Sequence, residues 1–287
     1  MKKILIQLDT DEHPSTFDAI VAHDADVDVL LRYGGVEPGA VRGLVQSAFF
    51  TRAPKDLSSM AVWVGGASVG AGEKVLEEVQ KAFFGPFRVS VMLDSNGCNT
   101  TAATAVAKLA KEIDLDGRRV VIVGAGAVGL RAAALLEQEG SDVTISGIPA
   151  DRFGENYRRA RGLSVAEDRG FRIAEPEDDG ALTKELDGAS VVLAAGPAGV
   201  ELLPGELWRG VDSVEVLADF NAAEPLGIEG TDANDEFKSY DGKKVLGALA
   251  IGGPKMKVHK ACIRRLFETN DVVLDIDGVY EVAKELG

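Results

Sequence analysis

Apolar runs near residues 3–8, 61–65, 88–93, 119–124, 142–146, 190–195, 213–218 and 244–249 read as strands. Most are separated by stretches of helical periodicity, such as EKVLEEVQKAFF and GLRAAALLEQEG. Strands alternating with helices predict parallel sheets wound by right-handed crossovers, an α/β fold. The segment KEIDLDGRRVVIVG reads as the entry to a second domain, because LDG supplies a turn and a buried strand follows it. The boundary is therefore expected in the helix that begins at Thr100, with an α/β domain over residues 1–99 and a Rossmann-type nucleotide-binding domain over 100–269.

Composition narrows the function. The 287 residues, 46% of them hydrophobic, suffice to bury the cores of two domains. The longest apolar stretch, VVIVGAGAVGL, is far short of the ~20 residues of a membrane span, and MKKILIQLDTD lacks a cleavage site behind a hydrophobic stretch. The expected location is the cytoplasm, with no membrane partner. A net charge of −15 argues against a nucleic-acid partner. Cys98 and Cys262 are far apart with no CxxC, so neither a disulfide framework nor a metal site is indicated, while a single pair stays open. Local cationic exceptions are Arg52 with Lys55, and GGPKMKVHK at 252–260, where helical spacing puts Lys255 and His259 on one face and Lys257 on another.

Two strand-to-helix corners carry candidate chemistry. RVVIVGAGAVGLRAAALL places Gly124, Gly126 and Gly129 as GxGxxG between a strand and a helix opening at Ala127 and Val128. Gly124 permits the tight turn, Gly126 lets a pyrophosphate approach, Gly129 lets helix and strand pack, and the helix N-terminus faces the negative charge. The following strand ends at Ser146 and Gly147, with neither an acidic residue nor an arginine at its tip; Arg152 lies one turn further on, able to reach a 2′-phosphate or to face solvent. Ala195 and Gly196 are small residues where a dinucleotide must pass, and Asp219 and Asn221 end another strand, as contacts or as loop caps. The second corner, VSVMLDSNGCNTTAAT, packs polar residues over 94–101, more than a turn requires, although Asn99 or Thr100 could simply cap the helix.

QLDTDEHPSTFDAIVAHD, FFGPFRVSVMLDSNGCNTTAA, VGAGAVGLRAAALL, ELLP, ADFNAAEPLGIEG and GALAIGGPKMKVHKACI together make the chain resemble the NAD(P)-dependent methylene-tetrahydromethanopterin dehydrogenases over nearly its whole length. The resemblance implies that the C-terminal helix, 270–287, returns to the N-terminal domain, that a cleft between the domains takes the pterin, and that a hydride passes from the methylene bridge to NADP or NAD. Asp94 and Asn96 are then expected in the cleft, with Lys255 as a cleft lysine and Phe17 and Asp18 as pocket walls. No nucleophile or metal is needed, because the carbocation is stabilised by two adjacent nitrogens and the site's task is to hold the reacting atoms about 3–3.5 Å apart. NADP-preferring members carry basic residues where this chain has Ile148 and Pro149, which implies dual cofactor use. Trimers or hexamers are the assemblies the resemblance suggests. A methylene-tetrahydrofolate dehydrogenase and a non-catalytic dinucleotide sensor are the rival readings, the second disfavoured by the elaborate 94–101 corner.

Overall fold

A computed structural model of the chain describes residues 1–124, 126–147 and 170–286. In chain order the elements are β1 (Ile4–Asp9), α1 (Thr16–Asp24), β2 (Val29–Tyr33), α2 (Pro38–Phe49), β3 (Met60–Gly65), α3 (Val69–Lys81), β4 (Ser90–Leu93), α4 (Cys98–Glu112), β5 (Arg119–Val123), α5 (Ala127–Gln138) and β6 (Asp142–Ser146). There follow β7 (Arg172–Ala174), α6 (Asp179–Leu186), β8 (Val191–Ala194), α7 (Gly205–Arg209), β9 (Val216–Asp219), β10 (Glu236–Tyr240), β11 (Lys243–Leu246), α8 (Ala248–Arg265), β12 (Val273–Leu274) and α9 (Ile276–Leu286). The chain divides into unit 1, Met1–Thr100 with Lys255–Gly287, and unit 2, Thr101–Pro254. The return to unit 1 thus begins at Lys255, within α8, rather than at 270. Helix α8 also starts earlier than the basic run suggested, at Ala248, and carries Pro254 inside it.

Unit 1 holds a five-stranded sheet in the order β12-β4-β3-β1-β2 with every pairing parallel. Strand β3, MAVWVG, is buried along its whole length, as expected of a central strand. Val41, Val45, Phe49, Val62, Val75 and Val91 join one core with it. The chain leaves β1 for β2 on one side and returns to β3 on the other, so the loops after β1 and β3 diverge at their C-terminal ends. Such a switch point is where open α/β sheets bind ligands.

Unit 2 holds a seven-stranded sheet in the order β10-β11-β9-β8-β5-β6-β7, parallel except for the β10-β11 pair. That pair is a tight hairpin in which Asp241 and Gly242 both take positive φ. Read from β7 to β11, the order is that of a dinucleotide-binding fold, with the switch point between β5 and β8. Its core gathers Val121, Val123, Val192, Leu203, Trp208 and Leu217. Among the described residues no helix is long and apolar enough to cross a membrane.

Candidate functional site

The C-terminal ends of β1, β3 and β4 open into a cavity of about 280 Å³ in unit 1, which Lys255 and His259 of α8 also line. Backbone and side chain stitch the three loops together. Asp9 Oδ1 accepts from the Asp11 amide and Asp9 Oδ2 from the Ser15 amide, at 2.9 and 3.1 Å. Asp11 Oδ2 accepts from the Ala67 amide at 2.9 Å, and the Asn96 amide donates to the Gly66 carbonyl at 2.8 Å. Every loop amide named here is satisfied within the protein, so the walls are set before any ligand arrives.

The 94–101 corner is a helix start more than a loop. A short 3-10 turn covers Ser95–Gly97 and α4 begins at Cys98, so Asn99 and Thr100 lie in its first turn and are not its caps. The capping acceptor is Asp94. Its Oδ1 accepts from the Thr100 amide at 3.1 Å and its Oδ2 from the Thr100 hydroxyl at 2.7 Å, while Asn99 donates to the Leu93 carbonyl at 2.7 Å. Asp94 is also among the residues lining the cavity, with its side chain buried in the wall. Asn96 takes a left-handed φ of 53°, a conformation Asn tolerates better than most residues.

Asp18, Asp94, Asn96, Phe17 and Lys255, drawn from three distant stretches of sequence, all line this one cavity. Phe17 is half exposed, so it is a wall and not core. Lys255 Nζ lies 5.8 Å from the Phe17 ring centroid. A β-carbon built on Gly97, which has positive φ, would come within 2.5 Å of that ammonium, so glycine leaves Lys255 its place. Burial, then the Asp94 and Asp9 charges, push the Asp18 carboxyl up to about 7, against the opposing pull of Lys255. His259, not singled out from the sequence as a site residue, is 1% exposed, and burial pushes its imidazole down to about 4, assisted by Lys255 and resisted by Asp94. Asp11, Ser15, Gly66, Ala67 and Gly97 complete the lining. Their only sequence signal is position, just beyond strands whose order could not be known in advance.

In unit 2, Gly124 has φ of +107°, and a β-carbon there would sit 2.7 Å from the Ala195 carbonyl and the Gly196 nitrogen. This is the close approach of β5 and β8 at the switch point. At Gly129 a β-carbon would meet the Gly124 carbonyl at 2.9 Å and Ala195 Cβ at 3.0 Å, whereas at Gly126 the nearest atom among the described residues is the Ala195 carbonyl oxygen at 3.4 Å. Gly124 and Gly129 serve packing, and among the described residues the space beside Gly126 stays open at the N-terminus of α5. That cradle fits a pyrophosphate. Ser146 ends β6, its carbonyl accepting from the Gly124 amide at 2.8 Å and its hydroxyl donating to the Gly147 carbonyl at 3.1 Å. Asn221 is occupied in its own loop. Its Oδ1 accepts from the Gly199 and Ala223 amides at 3.2 and 2.9 Å, and Nδ2 donates to the Pro225 carbonyl at 2.9 Å. Asp219 is likewise a loop anchor, accepting from the Asn221 and Ile228 amides at 2.8 and 3.0 Å. Arg152, Ile148 and Pro149 lie outside the described residues. Among the described residues no group of three or more His, Cys, Asp or Glu side chains could hold a metal ion. Cys98 and Cys262 are buried thiols.

An α/β chain with a glycine-lined dinucleotide crevice in one unit and an acidic cavity at the strand ends of another is of the two-domain nicotinamide-dinucleotide class. A solved shikimate 5-dehydrogenase from Listeria monocytogenes, in complex with shikimate and NAD, shares this fold at a TM-score of 0.52 and 12% identity, over 98% of this chain and 96% of that one. Residues 16–96 match the family described as methylene-tetrahydromethanopterin dehydrogenase, N-terminal, and residues 112–200 match an NAD(P)-binding family. Two relatives from Methylorubrum extorquens align over 99% of both chains: the bifunctional protein MdtA at 44% identity, and the NAD(P)-dependent methylenetetrahydromethanopterin dehydrogenase at 32%. The chain belongs to the methylenetetrahydromethanopterin dehydrogenase family.

Proposed function

We propose that this protein catalyses reversible hydride transfer from methylene-tetrahydromethanopterin to NAD(P), giving methenyl-tetrahydromethanopterin, in the one-carbon metabolism that oxidises formaldehyde. The observation that carries this reading is the acidic cavity of unit 1, most of whose lining falls in the stretch matched by the methylene-tetrahydromethanopterin dehydrogenase N-terminal family. Losing a hydride leaves a cation, and preformed carboxylates aimed at developing positive charge lower the barrier. Asp94 supplies that charge, joined by Asp18 when it is ionised. Lys255 orients the pterin by donating to one of its acceptors, Asn96 hydrogen-bonds its edge, and Phe17 covers its ring. Bound NAD(P) supplies the hydride acceptor.

In unit 2 the open space at Gly126, with the backbone of Gly124, Ala127, Val128 and Gly129, holds the pyrophosphate. Ser146 and Gly147 border the adenosine ribose, Ala195 and Gly196 leave room for the dinucleotide, and Asn221 steadies the Gly199 turn beside it. Arg152 faces the 2′-phosphate when NADP is bound. A cytoplasmic location agrees with the nicotinamide and reduced-pterin pools the reaction draws on, and a homo-oligomer, trimer or hexamer, agrees with the family resemblance. The test is appearance of reduced-nicotinamide absorbance with methylene-tetrahydromethanopterin and each cofactor. No product with either cofactor would overturn the reading. Methylene-tetrahydrofolate run alongside measures the choice of pterin.

A further inference from the structure

Among the described residues the two sheets have four edge strands, and three of them are ill-suited to pair with another chain. β12 is two residues long and β7 three, and β10 is interrupted by a register shift where Phe237 takes a φ of 54°. β2 is different. Its five residues, Val29–Tyr33, keep one register with β1 and hold no proline and no charge but Arg32. Leu31 and Tyr33 are 40% and 39% exposed on it. The Val29 amide donates to the Lys3 carbonyl at 3.1 Å, and backbone groups alternate sides along a strand, so those of Leu31 and Tyr33 also turn to β1 while those of Leu30 and Arg32 turn outward. Two opposite charges, Asp28 and Arg32, stand two positions to either side of Leu30. Arg32 donates to uncharged acceptors, the Gln7 side chain and the Pro14 and Ser15 carbonyls, and Asp28 accepts from the Lys3 amide. Neither joins an ion pair among the described residues.

We propose that β2 pairs antiparallel with β2 of a second copy of this chain, across a twofold axis at Leu30. In that register Leu30 exchanges both hydrogen bonds with its counterpart, and each Arg32 amide donates to the Asp28 carbonyl of the other copy; the Asp28 amide is already taken by the Lys3 carbonyl. Asp28 of each copy then lies directly opposite Arg32 of the other, closing two ion pairs that the single chain leaves open. On the other face Val29 of each copy meets Leu31 of the other, covering the exposed leucine. An axis at Leu31 would instead set Arg32 against Leu30 and Asp28 against Gly34, so the charges select the register. The edge is thus complementary to itself in both charge and apolar surface, which makes a second copy its occupant. Such a contact is isologous and closed, and a hexamer built of three such dimers retains it. This pairing is independent of the reaction proposed above and supplies a face for the homo-oligomer.

The experiment measures the mass of the full chain in solution by sedimentation equilibrium, with far-UV circular dichroism as the check of folding. The wild type is expected to be a dimer or a hexamer. Leu30→Pro removes an outward N–H that β1 does not use, and is expected to lower the mass at least about twofold with the spectrum kept. Asp28→Lys and Arg32→Glu each set like charges opposite one another across the axis, and each is expected to weaken self-association about tenfold or more. A 1:1 mixture of those two variants is expected to regain the wild-type mass, because each presents the charge the other lacks. If Leu30→Pro does not fold, the mixture still decides, since two unfolded chains would not restore an assembly. A monomeric wild type would give the edge to a strand of a different protein and overturns the proposal. So does an assembly with an odd number of copies, a folded Leu30→Pro of wild-type mass, or a mixture no heavier than its two components.

Discussion

Asp94→Asn separates two jobs that one carboxylate performs. As a cap, Asp94 satisfies the amide and hydroxyl of Thr100. Asparagine can keep most of this: its oxygen still accepts from the Thr100 amide, and the Thr100 hydroxyl has the Gly97 carbonyl at 3.3 Å as an alternative acceptor. The expected change in stability is under about 1 kcal/mol, whereas Asp94→Ala, which abandons the cap, should cost roughly 0.5–2 kcal/mol. As a charge, Asp94 is buried in the wall of a cavity whose volume of about 280 Å³ equals that of a sphere about 4 Å in radius. A cation at its centre lies about 5–6 Å from a wall carboxylate and gains about 3 kcal/mol at an effective dielectric near 20. With the charge half to fully developed at the transition state, removing the carboxylate's charge should slow turnover between about tenfold and about 10²-fold. Because Asp94 is one of the causes raising Asp18, the pH inflection that Asp18 imposes should also move down in Asp94→Asn. The assay is kcat and pterin KM against pH, with a melting curve on the same preparation. Turnover within twofold of wild type at an unchanged melting temperature would show that Asp94 is a cap alone, and would remove the electrostatic argument for the cavity.

Gly126→Val should abolish cofactor binding by calorimetry with little change in melting temperature, because a side chain there projects into the open cradle; unchanged affinity would contradict the pyrophosphate assignment. Gly124→Ala should instead destabilise the fold, since its β-carbon meets the Ala195 carbonyl at 2.7 Å from a positive-φ backbone, and this is read by urea midpoint. Asp18 is raised from 3.8 to about 7 on folding, so the folded state holds its proton more tightly than the unfolded chain does. Its contribution to stability is full below pH 3.8 and lost as pH rises through about 7, by at most about 4 kcal/mol; Asp18→Asn should flatten that slope, and parallel wild-type and variant profiles between pH 4 and 8 would refute the shift. Arg152→Ala should weaken NADP more than NAD, and equal effects in the two titrations would show that it does not read the phosphate.

What lies along the chain in one piece was legible from it. The apolar strands β1, β3, β5, β6 and β8 and the GxGxxG turn announce themselves because a fully covered strand must be apolar and a turn where two strands approach closely must lack side chains. Strands β2, β7, β10 and β12 escaped that reading. β7 and β12 are only three and two residues long, and β2 and β10 lie at sheet edges with largely exposed side chains, so the covering that makes a central strand apolar was never required of them. The start of α8 was misplaced because Gly-Gly-Pro reads locally as a break, and the helix carries those residues within its first turns. The cavity is a different matter. Phe17, Asp18, Asp94, Asn96 and Lys255 reached it through family likeness, since nothing local to any of them says that the loops after β1, β3 and β4 meet beside α8. Parallel strands are joined by long crossovers, so residues nearly 240 positions apart share a wall only once the strand order exists. His259 shows the limit most plainly. In the sequence it is one more member of a basic run, and only burial against Trp63, beside Asp94, makes it a neutral group within the cavity wall.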